Sequence, residues 1–152
     1  MRSVVQKVSQ ANVSINGDIV GEISTGLVVF VAVTMSDDEK VLKWMCNKIA
    51  NLRVFPDDEN KMNKSVIDVG GSVLIISNFT LYGDVRKGFR PNFMRSARPE
   101  VSEPLYDRMI DILKYDFSLN VQSGEFGAMM DVKLTNDGPV TVIIDKENES
   151  EK

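Results

Sequence analysis

Residues 26–52 read GLVVFVAVTMSDDEKVLKWMCNKIANL, and this stretch decides the class of fold. Leu27-Val28-Val29-Phe30-Val31-Ala32-Val33 is an unbroken apolar run rich in β-branched residues, which predicts a strand covered on both faces. It is far too short to cross a bilayer, which takes about 20 residues. Ser36 and Glu39 then fit a capping box, and Asp37 and Asp38 suit the positive end of a helix. Beyond them Val41, Trp44, Met45, Ile49 and Leu52 recur at helical spacing, so an amphipathic helix should run to about Leu52. Cys46 falls inside it as a small core or boundary residue.

Working outward, the N-terminal side reads as β. Val4, Val5 and Val8, then Val13 and Ile15, lead to Asn16-Gly17, a hairpin signal because type I′ turns need positive φ. Ile19, Val20 and Ile23 resume the pattern. On the C-terminal side, Phe55-Pro56-Asp57-Asp58-Glu59-Asn60 predicts a turn, and a second β block is expected at 66–69 and, after Gly70-Gly71, at 72–81. A second helix should begin at Ser102 or Glu103 and end near Tyr115, with Pro104 in its first turn and Val101, Leu105, Met109, Ile112 and Leu113 as its apolar stripe. Strands at 119–121, 130–134 and 140–144 follow, the last two joined by Asn136-Asp137-Gly138-Pro139. The order βββ-α-ββ-α-βββ, with hairpin signals at both ends, predicts a mixed α/β fold with largely antiparallel pairing and two main helices. Residues 1–145 form one domain, and 146–152 are expected to be a polar, disordered tail.

Composition limits the chemistry. The 152 residues include no His and one Cys, which excludes imidazole bases, His-containing triads, thiolate zinc sites and an intramolecular disulfide. No metal and no cofactor is expected, and neither Gly-x-Gly-x-x-Gly nor a phosphate-binding Gly-x-x-x-x-Gly-Lys-Ser/Thr occurs. A catalyst built from this chain must use hydroxyls, carboxylates, amines, backbone N–H groups or its own substrate. One unpaired Cys and an N-terminus without a secretory apolar segment point to the cytoplasm and to no membrane partner.

Charge is uneven. The formal net charge is -4, yet residues 85–99 carry Arg86, Lys87, Arg90, Arg95 and Arg98 with no acidic residue among them. Such a stretch on an acidic protein is either a solvated loop or one local phosphate-binding surface.

Three further segments have the residue types for a site. Ser77-Asn78-Phe79-Thr80-Leu81 ends an apolar run, and its hydroxyls, amide and backbone N–H groups suit an oxyanion; Ser and Thr are also ordinary strand residues. Asn136-Asp137-Gly138-Pro139-Val140-Thr141 is an ordinary hairpin turn apart from Gly138-Pro139, a pair able to adopt a cis bond at modest cost. Ser123-Gly124-Glu125-Phe126-Gly127-Ala128-Met129-Met130 can wall a pocket or simply enter a strand.

Together these segments resemble the bacterial-type D-aminoacyl-tRNA deacylases. The resemblance starts at Met1-Arg2-Ser3-Val4-Val5-Gln6-Lys7-Val8 and takes in Asn51-Leu52-Arg53-Val54-Phe55, Lys61-Met62-Asn63, 77–84, Arg86-Lys87-Gly88, Phe126-Gly127-Ala128 and 136–141. It covers about residues 1–145. Each motif is weak alone; their order and spacing carry the match. The resemblance implies a barrel-like core and hydrolysis of the ester joining a D-amino acid to the 3′-terminal ribose of tRNA, with L-aminoacyl-tRNA excluded. It also implies a homodimer in which Gly138-Pro139 reaches into the partner subunit's site as a chiral filter beside Phe126, Gly127 and Met130. Ser77, Asn78, Phe79 and Thr80 match the family's Ser-Gln-x-Thr segment, with Asn78 one methylene shorter than the usual Gln.

Two mechanisms fit a chain without His. Thr80 acts as a nucleophile, though no Lys or His stands in its motif. Alternatively water attacks, backbone N–H groups near Phe79 and Thr80 hold the oxyanion, and the substrate's ribose 2′-OH helps move the proton. The second is preferred. Arg86, Lys87 and Arg90, with Arg95 and Arg98 after them, become candidates for tRNA phosphates, with no DNA partner expected. A filter that works by rejecting an L side chain cannot reject glycine, so glycyl-tRNA should also be a substrate. The rival readings are a non-catalytic nucleic-acid-binding domain of the same fold and a Thr80 esterase.

Overall fold

In the computed structural model of the chain, residues 1–148 are described; residues 149–152, the end of the expected tail, lie outside the described residues. Strand β1 (Arg2–Ile15) organises the sheet. At 14 residues it is longer than any of its neighbours on one edge, so two strands share that edge. β2 (Asp18–Ile23) pairs antiparallel with its second half and β3 (Gly26–Ala32) with its first half. Asn16 and Gly17 join β1 to β2 with φ of 51° and 85°, both positive as a type I′ turn requires.

β3 then lies parallel to β6 (Ser72–Ser77), and β6 parallel to β7 (Asn120–Ser123). The other edge of β1 takes β8 (Asp131–Asp145) along nearly its whole length. The sheet curls until β2 meets β7, where a Cβ on Gly21 would come within 2.9 Å of the Ser123 carbonyl oxygen. The result is the mixed α/β, barrel-like core expected, with antiparallel pairing around β1.

The apolar run in β3 is buried on both faces, as its composition predicts. Leu27, Val29 and Val31 face a core shared with the helices, whereas Val28 faces a smaller cluster of Val8, Ala11, Val13, Ile23, Leu74 and Ile76 inside the curled sheet. Helix α1 (Glu39–Asn51) lays Val41, Leu42, Met45, Cys46, Ile49 and Ala50 on the first core, and α2 (Pro99–Asp111) adds Tyr106 and Met109. Burying a side chain such as Leu42 or Ile49 contributes about 1.5–3 kcal/mol. No helix among the described residues is long and apolar enough to cross a membrane.

Several boundaries differ from the sequence reading. The α1 cap is Asp38, whose Oδ1 accepts the Val41 N–H at 2.9 Å, and not Ser36. Asp37 is drawn away instead, into a fully buried pair with the Met1 ammonium at 2.7 Å. The expected turn after α1 contains a small hairpin, β4 (Phe55–Pro56) with β5 (Met62–Lys64). Residues 66–69, expected as strand, form a turn because Ser65 and Asp68 bond reciprocally and Gly70 takes a φ of 63°. Helix α2 starts earlier than Ser102, with Pro99 at its first position, and passes into a π turn at Ile112–Asp116.

The largest difference lies at 136–139. These residues do not separate two strands; they sit inside β8, which pairs Val8 with Asn136 and Gln6 with Thr141. Residues 137–140 are therefore looped out opposite Lys7 alone. Asn136 closes the neck, its Nδ2 donating to the carbonyls of Lys7 (2.9 Å) and Val140 (3.0 Å). A turn motif read in isolation cannot reveal that β1 runs unbroken beside it. The first residues assigned to the tail are also tied down. Lys146 exchanges backbone bonds with Met1, Glu147 pairs with Arg95, and Asn148 donates to the Ser36 carbonyl.

Candidate active site

β3 and β6 run parallel, so their C-terminal ends open on the same side of the sheet, the place where α/β sheets bind ligands. Asn78 extends the β6 ladder by one bond, its N–H reaching the Val31 carbonyl at 2.8 Å. The chain then leaves the sheet in a 3-10 turn over Phe79–Tyr82. Residues 78–81, expected as strand, turn away because the Asn78 side chain caps them. Its Oδ1 accepts the Thr80 N–H at 3.2 Å and the Thr80 hydroxyl at 2.5 Å. The Phe79 carbonyl is fixed by Ser96 Oγ at 2.8 Å.

This turn borders a cavity of about 800 Å³. Ser77, Asn78, Phe79, Thr80, Phe126, Gly127 and Met130, all named from the sequence, line it together. Residues 125–128 reach the opposite wall through a turn in which the Ala128 N–H meets the Glu125 carbonyl and Gly127 adopts a φ of 76°. Gly124 lies against the Met130 sulfur, which would have to swing aside to admit a Cβ there.

Of the remaining wall only Arg98 was named as a candidate from the sequence, as a cation for phosphate and not as a wall of this cavity. That wall comprises the end of β3 and the lead into α2, including Phe93, Ser96, Arg98, Ser102 and Tyr106. Phe93 packs edge-on to Phe79 with ring centroids 5.2 Å apart, and the Ala97 N–H bonds to the Val33 carbonyl at 2.7 Å. Arg98-Pro99 just before a helix was the available signal; nothing local told which side of the sheet that helix start would occupy.

The electrostatics are spare. Arg98 is the one charged residue lining the cavity among the described residues. Burial pushes the Tyr106 phenol up to about 12, and its hydroxyl donates to the Ile75 carbonyl at 3.1 Å, so it stays protonated. Cys46 lies in the core with its thiol pushed up to about 12 by burial, which leaves it unreactive. No group of three or more His, Cys, Asp or Glu residues is placed to hold a metal ion among the described residues. What the cavity offers is shape, apolar surface and backbone donors. The Phe79 N–H opens the 3-10 turn and so lacks an intrahelical acceptor. The Thr80 N–H, by contrast, is already engaged by Asn78.

Two sets of expected residues lie elsewhere. Gly138 and Pro139 are exposed on the looped-out segment of β8, their peptide bond is cis, and neither lines this chain's own cavity. Arg86, Lys87 and Arg90 stand on the exposed loop after the 3-10 turn and also lie outside the cavity. Arg86 is clamped by Asp84 at 2.6 Å, and that guanidinium holds the Asp84 carboxyl down at about 2.

Comparison with known proteins matches the chain to known relatives. A relative from Petrotoga mobilis named D-aminoacyl-tRNA deacylase is 50% identical over 147 residues, covering 97% of this chain and 98% of its own. One of the same name from Brevibacillus brevis is 54% identical over 145 residues, covering 95% and 99%. Among solved structures, one named c-Myc DNA Unwinding Element Binding Protein superposes with a TM-score of 0.90 at 37% identity, covering 97% of this chain and all of that one. The family model described as D-Tyr-tRNA(Tyr) deacylase matches residues 4–145. With that match spanning the domain and relatives at half identity, the chain belongs to the D-Tyr-tRNA(Tyr) deacylase family.

Proposed function

We propose that this protein hydrolyses the ester of D-aminoacyl-tRNA to free D-amino acid and tRNA, in the cytoplasm, and excludes the L-ester. The observation that carries this reading is a 3-10 turn that begins at Phe79, whose N–H has no intrahelical acceptor, on the wall of a largely apolar cavity in a chain of this family. Water attacks the ester carbonyl carbon, and the Phe79 N–H receives the oxyanion that forms. The bond to the ribose 3′-oxygen then breaks. That oxygen takes a proton, with the neighbouring 2′-OH assisting the transfer, and the amino acid leaves as carboxylate.

Thr80 as nucleophile is the weaker reading. Its hydroxyl proton points at the Asn78 amide oxygen, which is no base, and the lining residues supply no carboxylate or amine among the described residues. Thr80→Ala separates the two: a loss below about tenfold excludes the nucleophile, and abolition of activity supports it.

Selectivity needs the second subunit. The segment bearing Gly138 and Pro139 stands out from the sheet and away from its own cavity, which suits insertion into the cavity of a partner copy. Carbonyls held there would seat the α-amino group and fill the sector an L side chain needs. Glycine presents no side chain to reject, so glycyl-tRNA is deacylated as well; inertness toward it in an active preparation would overturn rejection as the basis of selection. Lys87, Arg90 and Arg86 contact tRNA phosphates, giving salt-sensitive binding tolerant of tRNA identity.

Incubation with D- and L-tyrosyl-tRNA tests the whole. Selective loss of the D-ester is expected. No loss of either would favour a binding domain, a reading that the solved structure named for DNA binding keeps open. Equal loss of both would mark a general esterase.

A further inference from the structure

Asp84 and Asn92 form an isolated antiparallel bridge, donating their N–H groups to each other's carbonyls at 2.8 and 2.9 Å. The chain between them projects as a loop whose tip turns at Gly88, where φ is 70° and a Cβ would meet open space. Phe89 follows, 105% exposed. A phenyl ring held wholly in water forgoes the stabilisation of burial, so it gains from any partner that covers it. Lys87 and Arg90 flank it and are exposed, whereas Arg86 is occupied by Asp84. The returning leg of the loop runs into Phe93, which packs on Phe79 at the rim of the cavity. The aromatic tip and the cavity mouth are therefore joined by one short run of chain. At most about 3.5 Å per residue separates Phe89 from Asn92 along it.

An exposed aromatic ring between cations, on a stretch without acidic residues from 85 to 99, has the makings of a single-strand binding surface. Every base offers a π-face to such a ring, and the cations take the adjoining phosphates. We infer that Phe89 is a stacking platform for an unpaired base of the 3′-terminal strand of tRNA, with Lys87 and Arg90 on the flanking phosphates. This rests on the tRNA reading proposed above and extends it from the reacting ester to the strand that leads there. Phe89 would hold the strand upstream while the 3-10 turn addresses the ester. Stacking does not distinguish one base from another, so the contact serves all tRNAs alike.

The test compares binding of two probes: uncharged tRNA, and the same tRNA with its three 3′-terminal nucleotides removed. Wild-type protein should prefer the intact tRNA. Phe89→Ala should weaken binding of the intact tRNA by about five- to a hundredfold, the range for losing one stacked base, and leave the trimmed tRNA unaffected. Phe89→Trp should restore the preference. Equal affinity of Phe89→Ala and wild type for the intact tRNA would overturn the inference, as would equal loss on both probes. A change in oligomeric mass with unaltered tRNA binding would overturn it too, assigning Phe89 to a contact between copies. Phe89-dependent binding without hydrolysis of D-tyrosyl-tRNA would defeat the deacylase reading alone. Hydrolysis with Phe89-independent binding would defeat this inference alone.

Discussion

Asn78 Oδ1 accepts both the N–H and the hydroxyl of Thr80, so one side chain turns the end of β6 out of the sheet and orients the Phe79 peptide. Asn78 lines the cavity, and its amide oxygen is spent on its own turn. Asn78→Ala should lower kcat on D-tyrosyl-tRNA on the order of 10²-fold, the scale of a misplaced oxyanion donor, for about 1 kcal/mol of lost capping stability. Single-turnover rates and a denaturation curve read the two effects separately. At Tyr106 the sign of a pH effect is fixed. The folded phenol is raised to about 12 against about 10 when unfolded, so below pH 10 both states stay protonated and stability is flat. From about pH 10 to 12 the unfolded chain ionises first, and stability should fall by up to about 1.4 kcal/mol per pH unit. Tyr106→Phe should lose no more than about 1 kcal/mol at neutral pH, because the Ile75 carbonyl loses the phenol but still accepts the Gly124 N–H at 3.3 Å, and show a shallower alkaline decline in urea titrations.

At the scale of elements, the register of β3 against β6 sets the cavity, because it decides where Val31 and Ser77 end side by side. Gly26 opens that register opposite Ser72. A Cβ there would overlap the Ser72 carbonyl, backbone that cannot step aside. Gly26→Ala should therefore destabilise by about 3 kcal/mol or more, with weakened hydrolysis as the strand ends shift. Gly17→Ala, which meets open space but keeps a positive φ, should cost only about 1–2 kcal/mol. Urea midpoints of the two variants make the comparison. Elements with strong local signals were legible in advance: the two-faced β3, the Asn16-Gly17 turn and the apolar face of α1. The 66–69 turn and the extension of α2 back to Pro99 were not. Val66 is buried like a strand residue, so hydropathy alone cannot separate a buried turn from a strand. The residues at the turn beside the cavity were legible for another reason. They are consecutive, and a run of hydroxyls, amide and N–H groups at the end of an apolar strand has chemical meaning before its partners are known.

For the whole molecule, the separation of Gly138 and Pro139 from the cavity of their own chain makes subunit exchange testable. Asn78→Ala damages a cavity and keeps the looped-out segment of β8; Pro139→Ala keeps the cavity and alters the segment. If the segment serves the partner, mixing the two impaired variants under exchanging conditions should raise D-selective hydrolysis above that of either alone, since half of the mixed dimers' cavities are intact and meet an intact segment. If it serves its own chain, mixing restores nothing. Light scattering should give twice the 17.0 kDa chain mass.

The sequence by itself determined the mixed α/β class, the two helices, the chemistry closed to a chain without His, and seven residues that line the cavity. The first three follow from local facts: hydropathic period, turn preference, and which atoms can carry a proton or a charge; the seven residues were singled out by the family resemblance that joins their segments. Only the tertiary structure decided that β1 is one strand serving three neighbours, that 136–139 interrupt β8 rather than ending it, and that Phe93, Arg98 and Tyr106 complete the cavity wall. Those outcomes depend on pairing and packing between residues far apart in the chain, whose energies no local window contains.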